Sequence, residues 1–214
     1  MARRKETKPY SPKYEKRVIL FVDFLAFKDH VARTVTEPRY LASVVEAMKI
    51  IGEIGAGDKE FNRSQRVTQF SDSVVVSFRI EESSAVFWLL LDIVYATLDL
   101  VTKGFLVRGA VTVGDLRHTK EILVGPAMVE AYELESKHAN FPRVLIDEKV
   151  IAVARRARKD DHSPEEEEKH VREFMTRFPG ELYIVRSLPA FLGINNSDQA
   201  RRACLRQTLR AAGR

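Results

Sequence analysis

The stretch Val18-Ile19-Leu20-Phe21-Val22-Asp23-Phe24 constrains the fold of this chain most. Its five consecutive apolar residues, largely β-formers, predict a strand over about 17–24 that is buried on both faces. The strand runs directly into one carboxylate and then a small-residue turn, Phe24 to Phe27. A charge at the end of a buried strand is tolerated only with a partner. The pattern recurs in Val67-Thr68-Gln69-Phe70-Ser71-Asp72-Ser73-Val74-Val75-Val76. Strands at about 66–71 and 73–80 meet there with neither Gly nor Asn to make a standard two-residue turn, so a tight hairpin with Asp72 at its tip is expected. Aspartates at strand ends often only cap or turn the chain. Two of them, each beside a buried strand and with little else acidic nearby, favour a divalent cation held by hard oxygen ligands.

The remaining elements follow from periodicity and punctuation. A short helical piece precedes Glu37-Pro38, which opens a helix with an apolar stripe at Leu41, Val44, Val45, Met48 and Ile51. Ser83 is the expected cap of a strongly apolar helix, 84–102, closed by Gly104. Phe105 to Val113 is a strand with Gly109 and Gly114 where the backbone must approach a neighbour closely. Arg117, His118, Thr119 and Lys120 form a turn, before a short strand at 121–124 and a helix at 126–138 opened by Pro126. A strand at 143–147 and helices at 148–158 and 165–177 come next, then a strand at 181–187 and an arginine-rich helix at 198–212. Glu166, Glu167 and Glu168 fall in a first helical turn, where the dipole accounts for them. This order predicts an α+β fold with a ferredoxin-like βαββαβ core and C-terminal extensions, one sheet face carrying the helices and the other left for a partner.

Charge is unevenly placed. The net +5 hides +5 on residues 1–17, another +5 on 199–214, and −5 on the part between. Residues 1–16 form an expected flexible basic arm, 17–190 the catalytic domain and 191–214 a basic helix or tail. Basic ends can contact nucleic acid, but the strands lack the paired exposed aromatics that stack RNA bases, and no nucleic-acid partner is expected. No apolar run reads as a bilayer span and no secretion signal is apparent, so a cytoplasmic protein without a membrane partner is expected. The single cysteine, Cys204, excludes an internal disulfide, and the five histidines (30, 118, 138, 162, 170) show no zinc-ligand spacing.

Four segments resemble class III nucleotide cyclase domains. Phe21-Val22-Asp23-Phe24-Leu25-Ala26-Phe27 is similar to their first metal-binding segment, and Phe70-Ser71-Asp72-Ser73 to their second. Arg108-Gly109-Ala110-Val111-Thr112-Val113-Gly114 is similar to their Arg-x-Gly-Ile-x-x-Gly strand, and Gly125 to Ser136 to their Gly-Asp-x-Val-Asn-x-Ala-x-Arg-Leu-Glu-Ser helix. The resemblance implies that Asp23 and Asp72 hold two Mg²⁺ or Mn²⁺ ions, with the Phe24 carbonyl as a further ligand. It also implies that the Leu25, Ala26 and Phe27 amides cradle a triphosphate.

The departures concern the base and the transition state. Val129 stands where purine cyclases carry asparagine, Glu133 replaces their transition-state arginine, and their base-reading lysine and aspartate fall on Thr68 and Ile122. Arg108 is the best remaining candidate for a phosphate or base contact, with Arg117 and Lys120 in reserve. Thr68 could read a pyrimidine edge, and Phe61 could stack on a base or cover the core. Tyr132 and Glu135 are read as packing or pairing residues. With Arg-Gly-Ala, Gly-Pro-Ala and Phe141-Pro142-Arg143-Val144-Leu145-Ile146-Asp147, the variant pattern resembles the bacterial pyrimidine cyclases of Pycsar anti-phage systems. That resemblance implies a homodimer making cyclic UMP or cyclic CMP for a separate effector protein, UTP being preferred over CTP. The alternatives are an inactive nucleotide-binding domain and a ferredoxin-like nucleic-acid module.

Overall fold

The computed structural model describes residues 13–54, 63–178 and 182–185. Phe61, most of the basic arm and the arginine-rich C-terminal segment lie outside the described residues. The elements are β1 (Glu15–Phe24), α1 (Phe27–Thr36), α2 (Tyr40–Gly52), β2 (Arg66–Phe70), β3 (Ser73–Arg79), α3 (Ala85–Thr102) and β4 (Val107–His118). They continue as β5 (Leu123–Val124), α4 (Pro126–His138), β6 (Val144–Asp147), α5 (Lys149–Arg156), α6 (Pro164–Glu173), β7 (Met175–Phe178) and β8 (Leu182–Val185).

The fold is α+β, and β1 is its axis. The sheet runs β2-β3-β1-β4-β6-β8-β7, with β5 pairing on β4. β3 and β4 flank β1, both antiparallel to it, which is the split arrangement of a βαββαβ core. Alternate residues of β1 serve two apolar layers. Val18, Leu20, Val22 and Phe24 enter the larger core with Val44 and Ile51 of α2, Leu90 and Ile93 of α3 and Val150 of α5. Ile19 and Phe21 face the other way, toward Leu116, Ala127 and Ala131. Each fully buried side chain of this size contributes about 1.5–3 kcal/mol, so both faces hold β1 in place.

The second layer corrects the expectation that one face would be free of helices: α4 covers part of it. Small residues make that approach possible. A Cβ on Gly114 would sit 3.1 Å from the Ala127 Cβ, and a Cβ on Gly125, which turns at φ 151°, would collide with the backbone of Asp115 and Leu116. Likewise, a Cβ on Gly109 would meet the Phe21 carbonyl at 2.5 Å, so close β1–β4 pairing requires glycine there.

Other boundaries shift for identifiable reasons. β4 continues past Gly114 to His118, which is buried instead of lying in a turn. The expected helix over 165–177 stops at Glu173, because Met175–Phe178 pairs with β8 as a strand. Ser84, not Ser83, occupies the N-cap of α3 and makes no side-chain cap, whereas Ser83 Oγ donates to the Arg158 carbonyl. By length and composition α3 is apolar enough to cross a bilayer, contrary to the sequence reading, with a mean hydropathy of 1.8. Its apolarity is used internally: Leu89, Leu90, Ile93, Val94 and Leu100 are buried in the main core.

Candidate active site

Asp23 sits where β1 leaves the sheet, opposite Ser73 on one side and Arg108 on the other. The hairpin linking β2 and β3 turns through only Ser71 and Asp72. Lacking glycine, it places Ser71 at φ 52°, a left-handed conformation that costs a non-glycine residue roughly 1–2 kcal/mol. The Phe24 N–H donates to the Asp72 carbonyl at 3.1 Å, fastening the hairpin tip to the end of β1. Ala26, the residue before α1, is also left-handed at φ 56°. Strained backbone on both segments beside the carboxylates is characteristic of functional sites.

The Asp23 carboxylate is only 18% exposed and is shared by two donors. Ser73 Oγ donates to Oδ1 at 3.1 Å, and Arg108 Nη2 approaches Oδ2 at 3.4 Å. Burial raises its pKa above the ordinary carboxylate value; the Asp72 charge pushes the same way, while Ser73 and Arg108 pull it down. The two carboxylates are therefore near enough to interact, and at Asp23 burial outweighs the help given by Ser73 and Arg108. Hard oxygen donors in a partly buried, under-compensated pair fit a divalent cation.

Arg108 is held from both sides. Its Nε forms an ion pair with Glu135 Oε1, and Glu135 is buried on α4. Burial raises the Glu135 pKa, opposed by Arg108 and reinforced by Asp23. Ala127, Ala131 and Glu135 are the buried positions of α4, at a four-residue spacing. That spacing is the signal for Glu135 facing the sheet; reading it only as a structural pair missed that its partner is the candidate site cation. Ser73 was likewise missed, although it directly follows Asp72.

The phosphate cradle is smaller than expected. The Leu25 N–H already donates to the Leu106 carbonyl at 2.9 Å and is not available. Beyond Ala26, the first turn of α1 presents the Phe27 and Lys28 amides, while the Asp29 and His30 amides already donate to the Ala26 carbonyl at 2.9 and 3.1 Å.

Thr68 and Ile122 do not join this group. Thr68 Oγ1 lies 2.8 Å from His118 Nε2, and His118 Nδ1 lies 2.8 Å from Ser77 Oγ. Arg17, 2% exposed, donates through Nε to the same Ser77 hydroxyl at 2.9 Å. Burial, with Arg17 and Arg66 adding like charge, pushes the His118 pKa down to about 4, so its ring is neutral. Ile122 is 45% exposed immediately before β5, which pairs beside His118. A cavity of about 620 Å³ opens here, lined by Lys13, Arg66, Arg117, His118, Thr119 and Lys120 among others. The structure thus brings Asp23, Asp72 and Arg108 together and puts Thr68 and Ile122 in a second cluster around His118. Tyr132 packs edge-on against Phe21, their ring centroids 5.9 Å apart.

Comparison with protein-family models and with curated proteins finds no match. Solved structures do match. A bacterial light-regulated adenylyl cyclase aligns with 92% of this chain at TM-score 0.56 and 18% identity, and the chain spans 59% of its length. The adenylyl cyclase CyaB from P. aeruginosa aligns at TM-score 0.53 and 12% identity, over 82% of this chain and 95% of CyaB. The guanylyl cyclase domain of the RhoGC fusion protein from Blastocladiella emersonii aligns at TM-score 0.51 and 16% identity, covering 82% of this chain and 97% of that domain. This chain has the nucleotide cyclase fold. At these identities the likeness is one of architecture, and the site chemistry rests on the residues themselves.

Proposed function

We propose that this protein is a metal-dependent nucleotide cyclase that converts a pyrimidine nucleoside triphosphate, UTP ahead of CTP, to the 3′,5′-cyclic nucleotide and pyrophosphate. The observation that carries the reading is the fastening of the Asp72 hairpin to the end of β1, by the Phe24 N–H donating to the Asp72 carbonyl and Ser73 Oγ donating to Asp23, which sets the two aspartates at one end of the sheet. When bound, two Mg²⁺ or Mn²⁺ ions would supply the acidification of the ribose 3′-OH and the neutralisation of the leaving pyrophosphate. Asp23 and Asp72 would hold those ions, with the Phe24 carbonyl as a further ligand. The Ala26 and Phe27 amides at the head of α1 would orient the triphosphate. Arg108 would supply the cation that Glu133 cannot: Glu135 holds its Nε, and Nη2, which approaches Asp23 at 3.4 Å, is the group that would turn to phosphate.

A pyrimidine preference is supported by Thr68 and Ile122, which provide neither of the charges that purine enzymes place at those positions. Thr68 and Ile122 lie apart from Asp23 in one chain, which supports a homodimer whose second chain completes each site. Ile122 just before β5, Val124 on it, and Val129 and Tyr132 on α4, all about half exposed, give such a contact its apolar surface. The reading extends to a cytoplasmic enzyme whose product is an anti-phage messenger for a separate effector protein. A second reading, nucleotide binding without turnover, is favoured by one observation: Arg108 is engaged by two carboxylates before any substrate arrives.

The test is to incubate the protein with each of the four NTPs and Mn²⁺ and identify products by mass spectrometry. Cyclic UMP or cyclic CMP, lost in both Asp23→Ala and Asp72→Ala, is the expected result. Nucleotide binding without product supports the second reading, and salt-sensitive oligonucleotide binding indifferent to both substitutions contradicts both.

A further inference from the structure

The start of α6 contains a polar cluster that the proposed cyclase chemistry does not use. His162, Glu167 and His170 each present a ligand atom there, all within 4.8 Å of one another. The histidines carry no ligand spacing in the sequence, but the fold brings two of them to Glu167, which is buried and paired as well as lying in the first helical turn.

The local architecture explains how the three converge. Ser163 is the N-cap of α6 and forms a full capping box with Glu166, which fixes the angle at which the preceding loop enters the helix. His162 then occupies the position before the cap and Glu167 the fourth helical position, the two sites where a hydrophobic staple normally packs. Here that staple is polar: His162 Nδ1 lies 2.7 Å from Glu167 Oε2. The His162 backbone is fixed at both ends, its N–H donating to the Lys159 carbonyl at 3.0 Å and its carbonyl accepting from Arg158 Nε at 2.9 Å. His170 follows Glu167 by three residues, on the same helical face, and its ring centroid is 5.0 Å from that of His162.

Glu167 is what distinguishes this cluster from a surface ion pair. It is 1% exposed, and its second oxygen, Oε1, is buried without a hydrogen-bond partner. An unmet carboxylate oxygen in the interior destabilises the fold unless something positive occupies the space it faces.

We propose that His162, Glu167 and His170 form a transition-metal site, best suited to Zn²⁺, that clamps the loop between α5 and α6 onto α6. Two imidazole nitrogens and one carboxylate oxygen are borderline donors: they suit Zn²⁺ and are poor ligands for Mg²⁺ or Ca²⁺. Three protein ligands leave a fourth tetrahedral position for water, reached past the partly exposed His162. The His162–Glu167 hydrogen bond gives way to shared coordination, so the ion enters a site whose backbone is already set.

The experiment titrates the full chain with Zn²⁺ in excess Mg²⁺, which saturates hard carboxylate sites, against a competing chromophoric chelator. The expected result is one tight equivalent, weakened more than about tenfold in each of His162→Ala, Glu167→Gln and His170→Ala, and unchanged in Cys204→Ser. Co²⁺ should give the visible absorption bands of a four-coordinate site in the wild type and not in the histidine variants. Zn²⁺ should raise the wild-type melting temperature and leave that of the histidine variants where it was. Absence of a stoichiometric equivalent, or equal Zn²⁺ affinity in the three variants, overturns the site. Circular dichroism of the variants without metal confirms that they are folded, so lost binding is assigned to the ligands. The result is independent of whether the protein turns over nucleotide.

Discussion

Replacing Arg108 with methionine isolates the electrostatics of the candidate site. In the wild type, Arg108 bridges Asp23 and the buried Glu135. Without it, the influences left on Glu135 are burial and the like charge of Asp23, both of which push its pKa up. Breaking a buried pair by removing one partner costs roughly 3–5 kcal/mol. The 32% exposure of the Arg108 side chain reduces that to about 2–3 kcal/mol at pH 8, or roughly 6–10 °C in Tm for a domain of this size. The sign of the pH dependence is fixed. A carboxyl whose folded pKa is raised costs stability above that pKa and nothing once pH falls below its unfolded value. Urea denaturation of Arg108→Met should therefore show the full deficit at pH 8 and a smaller one as pH is lowered toward the ordinary glutamate range. Adding Glu135→Gln should restore most of the loss at pH 8. A deficit that is the same at every pH and undiminished in the double variant would refute this account of the triad.

Asp23→Asn should raise the melting temperature at neutral and alkaline pH, because the raised pKa of Asp23 means that neutralising it relieves the fold; the gain should vanish in acid, and cyclase activity should be lost. His118, with a folded pKa of about 4 against an ordinary 6.5, protonates first in the unfolded chain. His118 should thus take roughly 3 kcal/mol from the stability as pH drops from about 6.5 to about 4, and the difference between wild type and His118→Gln in a pH–denaturation profile reads that contribution. Gly109→Ala should cost at least about 2 kcal/mol by chemical denaturation, since its Cβ would lie 2.5 Å from the Phe21 carbonyl.

Much of this architecture is legible in the chain because local and long-range preferences agree. β1 is announced by its apolar run, and α4 begins and ends where Pro126 and the C-terminal Lys137-His138 place it. Asp23 and Asp72 come together because β3 pairs antiparallel with β1, which sets the turn before Ser73 beside the end of β1. What escaped reading depends on tertiary partners. β7 is a strand because β8 lies beside it, while its four residues carry no distinctive signal of their own. The Leu25 amide is consumed by Leu106, a contact made only when β4 pairs with β1. The His162–Glu167–His170 cluster combines an ordinary i, i+3 pair with a loop histidine delivered by a capping box, so no fixed sequence spacing marks it. Phe21 to Phe27 and Phe70 to Ser73 point to the nucleotide cyclase fold, and structural likeness supports it. In the proposed reading, base preference would rest on Thr68 and Ile122, which lie apart from Asp23 and so give no single signal in the chain.

Mn²⁺ binding followed by electron paramagnetic resonance, with UTP present, probes the two aspartates most directly. Wild-type protein should take up Mn²⁺, and Asp23→Asn and Asp72→Asn should each weaken that uptake while remaining folded. Undiminished Mn²⁺ binding in both single variants would contradict the claim that these two carboxylates form one metal centre.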